Sequence, residues 1–232
     1  TRICRRNVCL IKFNSVFKRF SGTSDVLQNI NFVINSGELV FVTGSSGAGK
    51  STLIKLISAI EKPTSGNIIF ENQNLSELNN IDMPYLRRKF GMIFQDHKLL
   101  FDRDCFDNVA LPLAINDTTS IDINRRVRAA LNKVGLLEKE KLMPITLSGG
   151  EQQRLAIARA IVSRPSILIA DEPTGNLDKK YADDIMSIFY SFQQVGVTVI
   201  VSSHEAPKSP IQFKQLHLIK GELVNNDVPL LA

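Results

Sequence analysis

The chain has 232 residues, 44% of them hydrophobic and 22% charged, with 13 glycines and 9 prolines. That balance belongs to a folded domain and excludes a disordered, collagen-like or low-complexity chain. Six of the 28 basic residues (Arg2, Arg5, Arg6, Lys12, Lys18 and Arg19) stand in the first twenty positions, where there is no acid, which leaves 22 to face all 23 acids. A body so close to neutral argues against a nucleic-acid groove spread over the fold. It leaves a basic N-terminal edge as the candidate surface for phosphate, acidic lipid or a partner. The three cysteines, Cys4, Cys9 and Cys105, have neither zinc spacing nor the density of a disulfide framework, so a reducing compartment is expected. No apolar run reaches the roughly 18 residues of a membrane span, and no cleavable signal is expected. A role at a membrane then requires another chain as the anchor.

In chain order, short strands are expected at 8–13, 30–34 and 39–43, the last almost wholly apolar and hence buried on both faces. A glycine-rich turn leads into a helix over 50–60, with Leu53, Ile54, Leu56 and Ile57 on one face and Lys62-Pro63 beyond it. Strands follow at 67–70 and 90–94. From about 96 to 164 the periodicity is helical, with helices at 107–111, 123–134 and 151–162. Apolar strands return at 166–170 and 197–202 around a helix over 180–194, and 215–219 with 222–224 reads as a terminal hairpin. Strands alternating with helices predict a single α/β domain over 1–232 with a mostly parallel sheet.

The chemistry begins where the 39–43 strand ends. Gly44-Ser45-Ser46-Gly47-Ala48-Gly49-Lys50-Ser51-Thr52 fits the P-loop pattern and lies between a strand and a helix, the context that confirms such a match. Glycines at 44, 47 and 49 let successive N–H groups turn inward as an anion nest at the positive end of the following helix. Lys50 can reach the β- and γ-phosphates of a nucleotide, and the Ser51 hydroxyl can ligate Mg²⁺. The run Ile167-Leu168-Ile169-Ala170-Asp171-Glu172 supplies two carboxylates at the carboxyl end of a buried strand. Asp171 is read as a magnesium residue, and Glu172 as general base or water-orienting group.

Leu147-Ser148-Gly149-Gly150-Glu151, followed by Gln152-Gln153-Arg154, resembles the signature of the ATP-binding-cassette (ABC) ATPases. The order P-loop, Gln95, signature, Asp171-Glu172, Asp178, His204 makes the resemblance specific over roughly residues 8 to 225. It implies a P-loop ABC ATPase fold: a RecA-like, mostly parallel sheet core with an antiparallel β subdomain and a helical signature subdomain over roughly 96–164. It also implies ATP and Mg²⁺ as ligands and a head-to-tail homodimer. There, Ser148, Gly149 and Gly150 of one protomer would hold the γ-phosphate bound at the other's P-loop. Gln95 is implied at the metal and attacking water, His204 at the γ-phosphate, and Asp178 at the dimer interface. Phe20 is implied on adenine, where the family more often has Tyr.

Within the family, residues 84–113, including Gln95-Asp96-His97-Lys98-Leu99-Leu100, resemble the cell-division branch. That branch implies an FtsX-like integral membrane protein as partner, a place on the cytoplasmic face of the inner membrane, and control of cell-wall hydrolysis. The alternative is a lipoprotein-release or macrolide-export ATPase. Phe101 and Phe106 are expected either in the core or as anchors for the partner, and no nucleic acid is expected. Pro207 and Pro210 are expected to shorten any helix after His204.

Overall fold

The computed structural model describes residues 9–22, 24–79, 81–115, 119–175, 177–207 and 211–224. Its chain divides into two compact units, Thr1–Arg87 with Phe192–Ala232, and Arg88–Ser191. Arg2, Arg5, Arg6, Cys4 and Pro210, singled out above, lie outside the described residues.

The first unit opens with β1 (Cys9–Arg19), β2 (Asp25–Asn35), β3 (Leu39–Thr43), α1 (Lys50–Ile57), β4 (Ser65–Phe70), β5 (Gln73–Asn74) and α2 (Met83–Arg87). β1, β2, β4 and β5 make an antiparallel sheet in the order β2-β1-β4-β5. β1 and β2 are each eleven residues long, well beyond the expected 8–13 and 30–34. The reason is a bulge. The register slips between Phe13 and Val16, Ser15 turns to φ 46°, and its N–H donates to the Asn31 side chain at 2.8 Å instead of continuing the ladder. The two-residue alternation breaks at that point while the strand continues. Phe13 stacks on Phe32 across the pair, with ring centroids 4.4 Å apart.

After the second unit the chain returns as β8 (Thr198–Ser203), β9 (Lys214–Ile219) and β10 (Glu222–Val224). β3 lies between β8 and β9, parallel to both, and all five β3 residues are buried, as an apolar strand covered on both faces requires. β9 and β10 form the expected hairpin. α1 stops at Ile57 rather than residue 60. The Ser58 hydroxyl donates to the Ile54 carbonyl at 2.9 Å, Ala59 goes to φ 54°, and the Ile60 and Glu61 N–H groups both fold back on the Lys55 carbonyl.

The second unit contains β6 (Phe90–Ile93), α3 (Cys105–Ala114), α4 (Ser120–Lys133), α5 (Gly149–Ile161) and β7 (Ile167–Asp171), with the start of α6 (Lys179–Gln194). β6 and β7 are parallel. α3, α4 and α5 pack on one another, and Val109, Leu113, Val127, Leu131, Leu155 and Ile157 on these helices are all buried. α3 is longer than the expected 107–111. Asp104 caps it by accepting from the Asp107 N–H at 2.8 Å, and it runs through Pro112, whose missing N–H costs only the bond to residue 108. Among the described residues no helix is long and apolar enough to cross a membrane.

β6 and α5 approach so closely at Gly91 that an added Cβ would meet the Ala160 carbonyl oxygen at 2.6 Å, Leu168 Cδ2 at 2.6 Å and Pro165 Cγ at 2.9 Å. A backbone oxygen cannot rotate aside. Gly91→Ala is therefore expected to lower the urea midpoint of unfolding by the equivalent of about 2 kcal/mol. A midpoint unchanged from wild type would show that α5 can shift at no cost.

Candidate functional site

In the first unit, the parallel register sets Thr43 beside Ser203. The P-loop after β3 and His204 after β8 therefore leave the sheet at the same edge. Gly44 lies at φ 148°, and a Cβ there would meet the Leu218 carbonyl oxygen at 2.4 Å; Gly49 lies at φ 104°, with Leu27 Cδ2 2.8 Å from its virtual Cβ. Only glycine fits either place. Gly49 is also the N-cap residue of α1, so no side chain caps the first-turn N–H groups, and no acid stands in that turn. The helix start is thus a donor array of positive potential. Lys50 is buried, and its Nζ donates to the Gly44 carbonyl at 2.9 Å and the Ser45 carbonyl at 3.2 Å, which puts the ammonium inside the loop. Ser45, Ser46, Gly47 and Ser51 are exposed, Ala48 is buried and Thr52 is half-buried. His204 is exposed, and residues 204–207, Pro207 included, are not helical.

Phe20 is half-buried, and the Lys18 ammonium stands 4.8 Å from its ring centroid. Lys18 is itself buried and donates to Glu61 Oε2 at 2.9 Å and to the Lys62 carbonyl at 2.8 Å. Arg19 pairs with Asp25 at 2.8 Å, and its hydrogen bond holds that carboxyl below the usual range. Two of the six N-terminal basic residues are thus matched by acids from outside that segment, which a count restricted to positions 1–20 could not show.

In the second unit, Ile93 pairs with Ala170, so Gln95 and the Asp171-Glu172 pair emerge from one edge. Gln95 is exposed in the turn that follows β6, closed by the His97 N–H donating to the Phe94 carbonyl at 3.0 Å. Asp171 ends β7. Glu172 adopts φ 47°, a left-handed conformation that a residue with a Cβ enters only when its surroundings impose it. In this turn Glu172 Oε2 lies 3.9 Å from the position a Cβ would take on Gly175. Asn176 lies outside the described residues. Asp178 caps α6, its Oδ1 accepting from the Tyr181 N–H at 3.1 Å.

Ser148 caps α5 in a capping box: Glu151 N–H donates to its Oγ at 3.4 Å and its own N–H donates to Glu151 Oε2 at 3.0 Å. Lys139 bonds Glu151 at 2.6 Å and holds its carboxyl below the usual range. The folded-state pKa is lowered, so this support is complete above the ordinary carboxylate pKa and fades as pH falls through the lowered value. Gly149 is exposed, and a Cβ there would meet nothing within 4 Å; Gly150 is buried, with the Tyr181 ring 3.2 Å from its virtual Cβ. The signature turn and the start of α6 therefore touch through Gly150 and Tyr181. Phe101 is 51% exposed and so is no core residue, whereas Phe106 is half-buried with the Lys141 ammonium 4.9 Å from its ring centroid.

Two residues that hold the site's surroundings carry no sequence motif. Asn108 is fully buried on α3, its Nδ2 donating to the Leu100, Arg103 and Asp104 carbonyls and its Oδ1 accepting from the Leu100 N–H at 2.9 Å. Arg159 reaches back from α5 to the loop after Gln95. The signal for Asn108 was an amide on the apolar face of a helix; for Arg159 there was none.

Residues 27–175 match the family described as ABC transporter. The chain is 53% identical over 215 residues to the cell division ATP-binding protein FtsE of Escherichia coli (strain K12), covering 92% of this chain and 97% of that one. It is 46% identical over 197 residues to the protein of the same name from Haemophilus influenzae, covering 84% and 90%. Among solved structures it resembles the ATP-binding cassette MJ0796 in a dimeric post-hydrolysis state bound to ADP and Pi, with TM-score 0.84, 32% identity and coverage of 93% and 97%. With a P-loop at the edge of a parallel sheet, a capped signature helix and this level of identity, the chain belongs to the ATP-binding-cassette family of ABC transporter ATPases.

Proposed function

We propose that the chain is the ATP-binding and ATP-hydrolysing subunit of a membrane complex of bacterial cell division, its two units serving as one nucleotide-binding domain. The observation that carries the division role is the 53% identity to a cell-division ATP-binding protein over 97% of that protein's length. The donor array at α1 and the buried Lys50 ammonium carry the ATP role.

Residues 44–52 hold the triphosphate, with Lys50 exchanging its two carbonyl partners for β- and γ-phosphate oxygens. Adenine stacks on the face of Phe20 opposite the Lys18 ammonium. The Ser51 hydroxyl, Gln95 carboxamide and Asp171 carboxylate are hard oxygen donors of the kind Mg²⁺ takes alongside phosphate oxygens, and they would hold it. When bound, it would neutralise charge on the β- and γ-oxygens. Glu172 orients the attacking water or accepts its proton; the new bond from water oxygen to γ-phosphorus forms as the β–γ bridging bond breaks, giving ADP and phosphate. His204 donates to the γ-phosphate.

Ser148 uses an oxygen lone pair to cap α5, which leaves its hydroxyl proton to donate to the γ-phosphate of a second copy. Gly149 and Gly150 add backbone N–H groups there. Such exchange is two-fold symmetric: ATP joins two copies head to tail, with Asp178 at the interface. ATP-driven closing and opening would then move an FtsX-like integral membrane protein that docks near Gln95 and the exposed Phe101. The subunit would sit on the cytoplasmic face of the inner membrane through that partner. Co-purification tests this. The Glu172→Gln form with ATP should be recovered with an FtsX-like protein and not with a lipoprotein-release permease; the reverse would move the function to export.

A further inference from the structure

The segment after Gln95 is held by side chains from two helices. His97 and Lys98 are successive left-handed residues, at φ 57° and 49°. Neither is glycine, and each such conformation costs on the order of 1 kcal/mol unless its surroundings impose it. The surroundings are on α5. Arg159 Nη2 donates to the His97 carbonyl at 2.5 Å, and its Nη1 donates to the Lys98 carbonyl at 2.6 Å. The guanidinium is half-buried, and burial pushes its pKa down. Its desolvated charge is therefore met by two carbonyl dipoles that the left-handed turns aim at it. Gln153, roughly one and a half turns earlier on α5, is buried as well. Beyond Leu99, Asn108 fixes residues 100–104 to α3.

We propose that Arg159 is a positioning residue for Gln95: by holding the His97 and Lys98 carbonyls it fixes the turn on which Gln95 stands, and it makes that turn move with the helix that starts at the signature. This rests on the reading of Gln95 given above. A guanidinium fits because its planar fork spans two adjacent carbonyls at once; a lysine ammonium meets one well and the other poorly.

The experiment is steady-state ATP hydrolysis by the full chain for Gln95→Ala, Arg159→Ala, Arg159→Lys and the Gln95→Ala/Arg159→Ala double variant, with thermal unfolding of each. Arg159→Ala is expected to lose about tenfold in kcat with KM for ATP within about twofold, since ATP is held by other residues and only a positioned group is displaced. Arg159→Lys should recover part of that loss. The double variant should be no slower than Gln95→Ala alone, because Arg159 acts through Gln95. Losses that multiply in the double variant overturn the proposal and leave Gln95's role intact, as does a raised KM at unchanged kcat. A Gln95→Ala form as fast as wild type overturns the reading of Gln95 and the proposal with it. Should Arg159→Ala fail to fold, the same cycle run with Arg159→Lys decides by the same criterion.

Discussion

Lys50→Ala is expected to raise the dissociation constant for ATP by about 100-fold or more, by removing the one charge seated inside the phosphate loop. Its Nζ lies at hydrogen-bond distance from two loop carbonyls, so the substitution takes away both an anion's counter-charge and the donor those carbonyls use. The second loss is local and is separated by measuring unfolding without nucleotide: the apo protein should remain folded while calorimetric titration with ATP shows no binding. Lys50→Arg should not restore affinity, because a planar fork cannot occupy a pocket shaped around a tetrahedral ammonium. Wild-type affinity in Lys50→Ala would mean that the backbone N–H array alone supplies the binding energy.

Glu172→Gln should separate binding from hydrolysis. The two side chains have the same shape, so the left-handed turn at 172 and the β7 end beside it should persist. What disappears is an anionic oxygen able to orient water or take its proton, a change that costs on the order of 100-fold or more in turnover. ATP that enters is not consumed, and the sandwich that it closes should accumulate as a dimer in size-exclusion chromatography with ATP. A variant that stays monomeric with ATP and hydrolyses it at the wild-type rate would remove Glu172 from its role.

The parts legible in the sequence were those whose pattern is local. β3 and β7 are apolar up to their last residues, Thr43 and Asp171, because both faces are covered, and the P-loop between β3 and α1 follows from glycines at three fixed places. The strands were cut short where a bulge inverts the alternation, as at Ser15 and Asn31. α2 has five residues and starts with Met83-Pro84, too short for a helical period, and β5 has two residues. At the site, the order of motifs named nearly every candidate residue, but not how the fold holds them. The left-handed backbone of Glu172 is a dihedral, not a residue type. The Lys18 ammonium over Phe20 depends on Glu61, 43 positions away, and the Arg159 grip joins residues 61 and 62 apart. Such partners follow from the packing of α5 on β6 and of β1 on its neighbours, which no short window of sequence contains.

Gly149 is an exposed first residue of a helix around which nothing crowds. Alanine there would fit the chain's own packing and, by restricting the unfolded chain, would favour the fold by about 0.4–1 kcal/mol. The protein thus keeps a residue that weakens its own fold and relieves no internal clash. What the glycine preserves is bare main chain on the outer surface, and in the head-to-tail pairing proposed above that is where the second copy's phosphate would come. If that pairing holds, stability and assembly pull in opposite directions at this one position, and a sequence optimised only for the folded monomer would lose it first.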